Sequence, residues 1–402
     1  MHADNSVLRE GSTAIFTQRL ERCYNIDDLR EYARKRLPKG IFDFLDRGAE
    51  DDIACRDNME AFRQLKLRTR FLVDLTDRDM GTTLFEKRIA LPLAIAPTGF
   101  ADLCWYDGEL ALAEAAAAVG VPFTFCAHSV VEMETIARQA GGNTWIQVHM
   151  WRDDEHSYHM IERGRDLGFQ ALVVTIDSAL GRNREYNKRN GFTFPFKPSV
   201  RALSDMVGHP TWLSTVMFRY ILSSGMPRFV NYPEGFRNSI AQGVPEAITR
   251  KESMTWTDLR CLRDFWPRPL VVKGVLSSND ARMAVDHGAD ALVVSNHGGR
   301  TLDSAAPPIS VLPEIVEAVG GRIPILLDSG VRRGSDIVKA IALGADAVLV
   351  GRPTLYGVSV AGRSGAEKAL RILADEFEQT MAFVGCRTVS ELDGGLVFSD
   401  GR

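Results

Sequence analysis

The chain of 402 residues has little cysteine and no excess of either charge: six Cys, and 48 Lys and Arg against 52 Asp and Glu, for a formal net charge of −4. No C-x-x-C pair occurs and no Cys and His fall at zinc-ligand spacing, which fits a reduced compartment and buried free thiols better than a disulfide framework. Without a basic excess to neutralise a run of phosphates, nucleic-acid binding is disfavoured. No apolar run approaches the roughly 18 residues of a membrane span, and the first 25 residues, broken by Glu10, Arg19 and Glu21, lack the apolar stretch of a signal peptide. The expectation is a soluble, cytoplasmic protein. Neither G-x-G-x-x-G nor G-x-x-x-x-G-K-[ST] is present, so any nucleotide must be held another way.

What is present is rhythm. From about residue 91, short apolar and β-branched runs alternate with longer amphipathic or Ala-rich stretches, the pattern of repeated β-α units around a parallel sheet. Eight runs are read as strands: 91–96, 121–126, 144–149, 171–176, 270–273, 291–295, 323–327 and 347–350. Eight strands with intervening helices predict a closed (β/α)8 barrel. Glu109 to Val119 reads as a helix with Asp107 as its cap and Gly120 as its stop. The sequence Gly-Ala-Asp-Ala-Leu-Val-Val at 288–294 recurs as Gly-Ala-Asp-Ala-Val-Leu-Val at 344–350, best read as one helix-to-strand joint used twice. Residues 1–90 carry helical segments near 27–36, 41–46 and 51–62 and form a prelude; 91–360 is the barrel; 361–402 is a closing helix, near 367–383, and a tail. The whole is read as one domain. Residues 187–254 interrupt the rhythm after the fourth strand. Within this insertion the strongly apolar Trp212–Leu222 reads either as a membrane-surface or partner-docking helix or as a cover for the barrel mouth.

Barrels place their chemistry at the C-terminal ends of the strands, and here those ends are polar. Strand one runs into Pro97, Thr98 and Gly99; strand three carries Gln147 and His149; strand four ends at Thr175 and Asp177, with Arg184 shortly after. Strand five ends at Lys273, strand six at Ser295-Asn296-His297-Gly298-Gly299-Arg300, strand seven at Asp328-Ser329-Gly330 with Arg332, and strand eight at Gly351-Arg352. Gly330 and Gly351 let backbone N–H groups approach an anion, Ser335 or a neighbour opens a helix whose N-terminus favours negative charge, and Arg332 and Arg352 neutralise it, which together read as a phosphate site. Lys273, Arg300 and Arg184 add positive charge to the same mouth, and so much buried charge is costly unless anions fill the space. A phosphorylated cofactor and a small anionic substrate are expected. His297, among strand-end polar residues, reads as a proton-transfer group rather than a structural histidine, and Asp177 as the carboxylate that fixes its tautomer.

Taken together, these residues resemble the FMN-dependent α-hydroxy-acid oxidase and dehydrogenase family, over roughly residues 27–390. The most specific stretch is Ser-Asn-His-Gly-Gly-Arg at 295–300 followed by Leu302-Asp303; Leu-Pro-Lys at 37–39, Val272-Lys273-Gly274 and Asp328 to Gly334 are independent matches. Pro97-Thr98-Gly99 and Asp328-Ser329-Gly330 look most like the mandelate dehydrogenases. The resemblance implies FMN across the mouth, its phosphate held by Gly330, Arg332, Gly351 and Arg352 and its ring by Thr98, Gln147, Thr175 and Ser295. Pro97, Gly99, Cys126, Asp328 and Ser329 complete the implied cofactor contacts, with Lys273 near the ring's N1 side. It further implies a carboxylate clamp of Arg184 and Arg300, His297 as base with flavin N5 as acceptor, and a homotetramer. The implied reaction is oxidation of a 2-hydroxy acid to the 2-oxo acid, and Gly99 with the long insertion looks more like the dehydrogenase branch than the oxidases.

Four departures bear on the substrate. Where the family has a tyrosine after Leu-Pro-Lys this chain has Phe44; where strand three presents a second tyrosine it has His149; after strand two it has His128; and Thr301 replaces a glutamine. Losing two phenol donors puts simple lactate chemistry in doubt. One reading has His128 and His149 bind an extra polar group on a larger, aromatic or modified hydroxy or amino acid; the other has His149 do the tyrosine's work while His128 packs. Oxidation of a Cα–NH2, another non-standard reaction, and a non-catalytic flavin-binding or membrane-peripheral protein are the alternatives.

Overall fold

In the computed structural model, which describes residues 18–398 apart from 179, 182, 193, 194, 197, 198 and 243, the eight apolar runs form eight parallel strands that close on one another. They are β1 (Leu93–Ile95), β2 (Phe123–Cys126), β3 (Thr144–Val148), β4 (Leu172–Thr175), β5 (Leu270–Val275), β6 (Ala291–Val294), β7 (Ile325–Leu327) and β8 (Ala347–Val350). Each pairs with its successor, and β8 pairs with β1. Side chains alternate along a strand, so one face of each fills the barrel and the other packs under the helices. The interior face holds Ala94, Trp145, Val173, Val271, Val293, Leu326 and Leu349, while Leu84 and Ile89 from a short hairpin before the barrel pack into the same cluster.

That alternation positions the site. Two residues past Trp145, Val173, Val271, Val293 and Leu326 on the same face come Gln147, Thr175, Lys273, Ser295 and Asp328, all at the C-terminal end of the barrel. On β5 the register shifts between Lys273 and Val275, and Gly274 takes φ +115° there; a side chain on it would overlap the Cβ of Asp177. Glycine at this bulge lets β5 pass close against Asp177.

The prelude forms helices Ile26–Arg36, Lys39–Asp46 and Ile53–Gln64. It docks over the barrel mouth: Asn58 and Asn296 exchange two amide hydrogen bonds, and Asp303 accepts from the backbone N–H groups of Asp51 and Ala54. Three expectations need correction. Asp107 precedes the helix Gly108–Val119 but lies at φ +55° with no side-chain cap, although Gly120 does end it in the left-handed conformation. The closing helix starts just after Gly362, not at 367, and ends at Phe383; the non-helical backbone of Ala361 and Gly362 separates it from the helix that begins at Arg352. Cys23, Cys104, Cys126 and Cys386 are buried free thiols, but Cys261 is exposed.

The insertion packs into the main core. Residues 210–223 run as one helix with a π-helical turn at Leu213–Met217, and Trp212, Val216 and Tyr220 point inward. The Trp212 indole donates to the Leu103 carbonyl at 2.7 Å and Arg36 donates to Thr215 Oγ1 at 2.7 Å, so the helix is fastened to the barrel and the prelude. Outward lie Phe218, Ile221 and Leu222, the last 85% exposed. No helix among the described residues is long and apolar enough to cross a membrane. The first 17 residues, which include Glu10, lie outside the described residues.

Candidate active site

A cavity of about 620 Å3 opens at the C-terminal end of the strands, within the range of pockets that hold a cofactor or a drug-sized ligand (about 300–1,000 Å3). Pro97, Thr98 and Gly99 after β1, Cys126 and His128 after β2, Gln147 and His149 on β3, and Thr175 on β4 all line it. So do Lys273, His297, Arg300, Asp328, Ser329, Gly330, Arg332, Gly351 and Arg352, with Phe44 from the prelude and Arg184 from the loop after β4. Two expected residues stand behind the wall instead. Ser295 is fully buried, its Oγ accepting from Lys273 Nζ at 2.9 Å and from the His297 backbone N–H at 3.0 Å. Asp177 does not line the cavity but reaches its edge through His297.

His297 sits at φ +57°, a left-handed conformation that costs a non-glycine residue about 1 kcal/mol or more. Ser295 Oγ holds its backbone, and Asp177 Oδ1 lies 2.8 Å from its Nδ1. A carboxylate there keeps the proton on Nδ1, so that Nε2 is the basic nitrogen, and it stabilises the imidazolium once formed. Lys273, 3% exposed, is paired with Asp328 at 2.9 Å, and Asp328 accepts from Ser329, whose Oγ in turn accepts from the Gly298 N–H. Lysine, carboxylate, hydroxyls and the histidine loop thus form one network across β5, β6 and β7.

The guanidinium groups of Arg184 and Arg300 lie 5.3 and 5.2 Å from the Phe44 ring centre, one aromatic plane serving two cations. Arg300 donates to the carbonyls of Leu45 and Arg47, and Arg352 donates to those two and to Gly298. The end of the helix Lys39–Asp46 therefore supplies the negative dipole end that makes two partly buried cations tolerable. Burial, with Arg184 and Arg352 adding repulsion, still pulls the Arg300 guanidinium well below its ordinary proton affinity, which an incoming anion would relieve.

The phosphate reading changes in its details. The helix after β7 opens at Gly334, beside Ser335; the N–H groups of Arg332 and Arg333 just before it donate to Asp336, and that of Gly334 donates to Glu376. Gly330 is required because its φ is +100° and a Cβ would sit 2.4 Å from the Asn58 carbonyl oxygen. Positive charge from Arg332 and Arg352 on the cavity wall remains.

FMN fits these residues. Thr98 Oγ1 is buried on the cavity wall with no hydrogen-bond partner among the described residues. A Cβ on Gly99 would meet only the Cys126 sulfur, at 3.7 Å, so glycine leaves that stretch of wall open. Gln147, joined to Thr175 at 3.0 Å, presents amide chemistry suited to a ring's polar edge, and the arginines suit a phosphate.

Arg250, Asn187 and Lys188 also line the cavity and were not anticipated. All three come from the insertion, where no periodic pattern marks a side chain as facing inward. Nearness to Arg184 is the one signal that could have found Asn187 and Lys188; Arg250 had none.

A family model described as FMN-dependent dehydrogenase matches residues 33–398, and the chain belongs to that family. It is 38% identical over 379 residues to the (S)-mandelate dehydrogenase of Pseudomonas putida, covering 94% of each chain. It is 34% identical over 376 residues to the glycolate oxidase of Spinacia oleracea, covering 94% of this chain and 96% of that one. Among solved structures, one of a monotopic membrane protein, (S)-mandelate dehydrogenase, superimposes with a TM-score of 0.87 at 38% identity, covering 94% of this chain and all of the other. The protein is accordingly an FMN-dependent oxidoreductase acting on CH–OH, built on a (β/α)8 barrel.

Proposed function

We propose that this protein oxidises the Cα–OH of a 2-hydroxy acid larger than lactate to the 2-oxo acid. The observation that carries the reading is the His297–Asp177 pair opening onto a cavity that also gathers Arg184, Arg300 and Lys273. Thr98, Gln147 and Thr175 would hold the FMN ring, and Gly330, Arg332, Gly351 and Arg352 its phosphate. Bound there, FMN supplies the acceptor for the two electrons that the substrate gives up. Arg184 and Arg300 clamp the substrate carboxylate, whose planar pair of oxygens matches a guanidinium fork. His297 takes the proton from the substrate, and Asp177 stabilises the charge that this creates. Lys273 brings positive charge to the place where negative charge accumulates during the reaction. Phe44 and His149, where the family has tyrosines, favour a substrate that does not depend on two phenol donors at its carboxylate.

Anaerobic titration of the FMN-loaded protein with 2-hydroxy acids and amino acids tests this directly. Bleaching of the yellow colour by hydroxy acids is the expected result. Bleaching by amino acids alone would replace the reading with Cα–NH2 oxidation, and bleaching by neither would leave a flavin-binding protein. A protein that stays colourless with added FMN would end every flavin reading.

We further propose that the insertion rests on a membrane surface. Val200, Leu203 and Val207 on the helix Val200–Val207, together with Phe218, Ile221 and Leu222, are exposed apolar side chains on a segment that also carries exposed Arg201, Arg219 and Arg228. Apolar side chains flanked by cations suit an anionic lipid interface. Assembly of the single barrel unit into a homotetramer is checked by light scattering of the FMN-loaded protein.

A further inference from the structure

Three imidazoles stand in a row along the cavity wall. His297 and His149 stack at 6.4 Å between ring centres, and His149 and His128 at 5.4 Å. Beside the far end of this row lies Arg250, a cation that the chemistry proposed above does not use. Its Nη1 donates to the carbonyl of Ser178, whose Oγ is 3.1 Å from His149 Nδ1. Its charge also acts on Tyr232, whose hydroxyl is 3.0 Å from His128 Nδ1.

Arg250 is not there by accident of a loose loop. It pairs with Trp151 in an antiparallel bridge, flanked by the Arg152 N–H donating to the Thr249 carbonyl and the Lys251 N–H donating to the Met150 carbonyl. The backbone thus clamps the end of the insertion to the chain just past His149. Arg250 is partly buried, lines the cavity and forms no ion pair among the described residues; its one hydrogen bond there is to the Ser178 carbonyl. Burial penalises its charge, as the lowered proton affinity of the guanidinium reflects. An apolar side chain at this position would avoid that cost. A cation held in a cavity with most of its donors uncommitted is a site for an anion.

We propose that Arg250, together with His128 and His149, binds a second acidic group, so that the substrate is a 2-hydroxy acid whose side chain carries another anion. The proposal rests on the 2-hydroxy-acid reading above and deepens it. The first carboxylate lies at Arg184 and Arg300, the reacting carbon at His297, and the second anion at Arg250, with the two outer imidazoles completing its polar shell.

The test uses the FMN-loaded protein and substrates matched in length. Under anaerobic conditions 2-hydroxyadipate is compared with 2-hydroxyhexanoate, and 4-carboxymandelate with mandelate, by kcat/KM for flavin bleaching. The diacid of at least one pair is expected to be preferred by about tenfold or more, the loss typical of a charge-assisted hydrogen bond left unmade. Arg250→Met collapses that preference, and Arg250→Lys restores part of it. Equal or weaker use of both diacids by the unaltered protein, or a preference that survives in Arg250→Met, overturns the proposal. Binding of 2-oxoadipate against 2-oxohexanoate, read from the visible spectrum of bound FMN, needs no turnover. If no hydroxy acid bleaches the flavin, the oxidation reading fails, while tighter binding of the oxo diacid still upholds the anion site and its absence removes it.

Discussion

At the scale of single residues, the site turns on pairs whose members act only together. On the proposed reaction His297 and Asp177, 2.8 Å apart, act as one proton-handling unit, so His297→Gln and Asp177→Asn should each lower the rate of anaerobic flavin bleaching by about 10²- to 10⁴-fold. The double variant should be little worse than the poorer single one, because removing either member already disables the pair. Retention of the yellow colour in each variant checks that the loss is chemical. His128 and His149 divide the two readings of the altered pocket: His149→Phe should abolish turnover under both, whereas His128→Ala should matter only if His128 touches the substrate. A period of two along β5 puts Lys273 on the barrel's inner face, and His297, Arg184 and Arg300 follow strand ends, which is why reading the strand ends brought these four to one cavity. Arg250 escaped that reading because its place depends on pairing with Trp151, about a hundred positions earlier in the chain.

At the scale of elements, the bulge in β5 and the apolar insertion carry the sharpest expectations. Gly274 combines φ +115° with a would-be Cβ contact of 2.6 Å to Asp177, so Gly274→Ala must displace either the strand or the carboxylate. A stability loss of about 1–3 kcal/mol in urea unfolding, together with a fall in bleaching rate, is expected. The insertion helix 210–223 is apolar on both faces, with Trp212 inward and Leu222 outward. That explains why its composition alone left two readings open: covering the mouth uses one face, and a membrane would use the other. Val207→Ser with Leu222→Ser should reduce co-sedimentation with anionic vesicles without altering flavin bleaching. Unchanged co-sedimentation would remove the membrane reading.

At the scale of the whole molecule, buried ionisable groups tie the insertion and the prelude to the barrel and make stability depend on pH. Burial, with Asp107 adding repulsion, pushes the fully buried Asp102 carboxyl from 3.8 up to about 8. The folded state therefore holds a proton that the unfolded chain releases near pH 3.8. This contribution to stability is complete below that value and is lost as pH rises toward about 8. Asp102→Asn keeps a neutral side chain throughout, so its melting temperature should gain on that of the unaltered protein as pH increases over that interval; a constant difference would show that Asp102 is ionised in the fold. The eight strands, the order of the units and the polar strand ends were all legible in the sequence, since each follows from local periodicity and from which residue ends a run. Tertiary structure alone decided that carbonyls of Leu45 and Arg47 would hold Arg300 and Arg352, that Asp336 and Glu376 would accept from N–H groups at and just before the helix start expected to bind phosphate, and that Arg250 would face the cavity. Those outcomes depend on contacts between segments distant in the chain, and periodicity carries no information about which distant groups satisfy a given donor or charge.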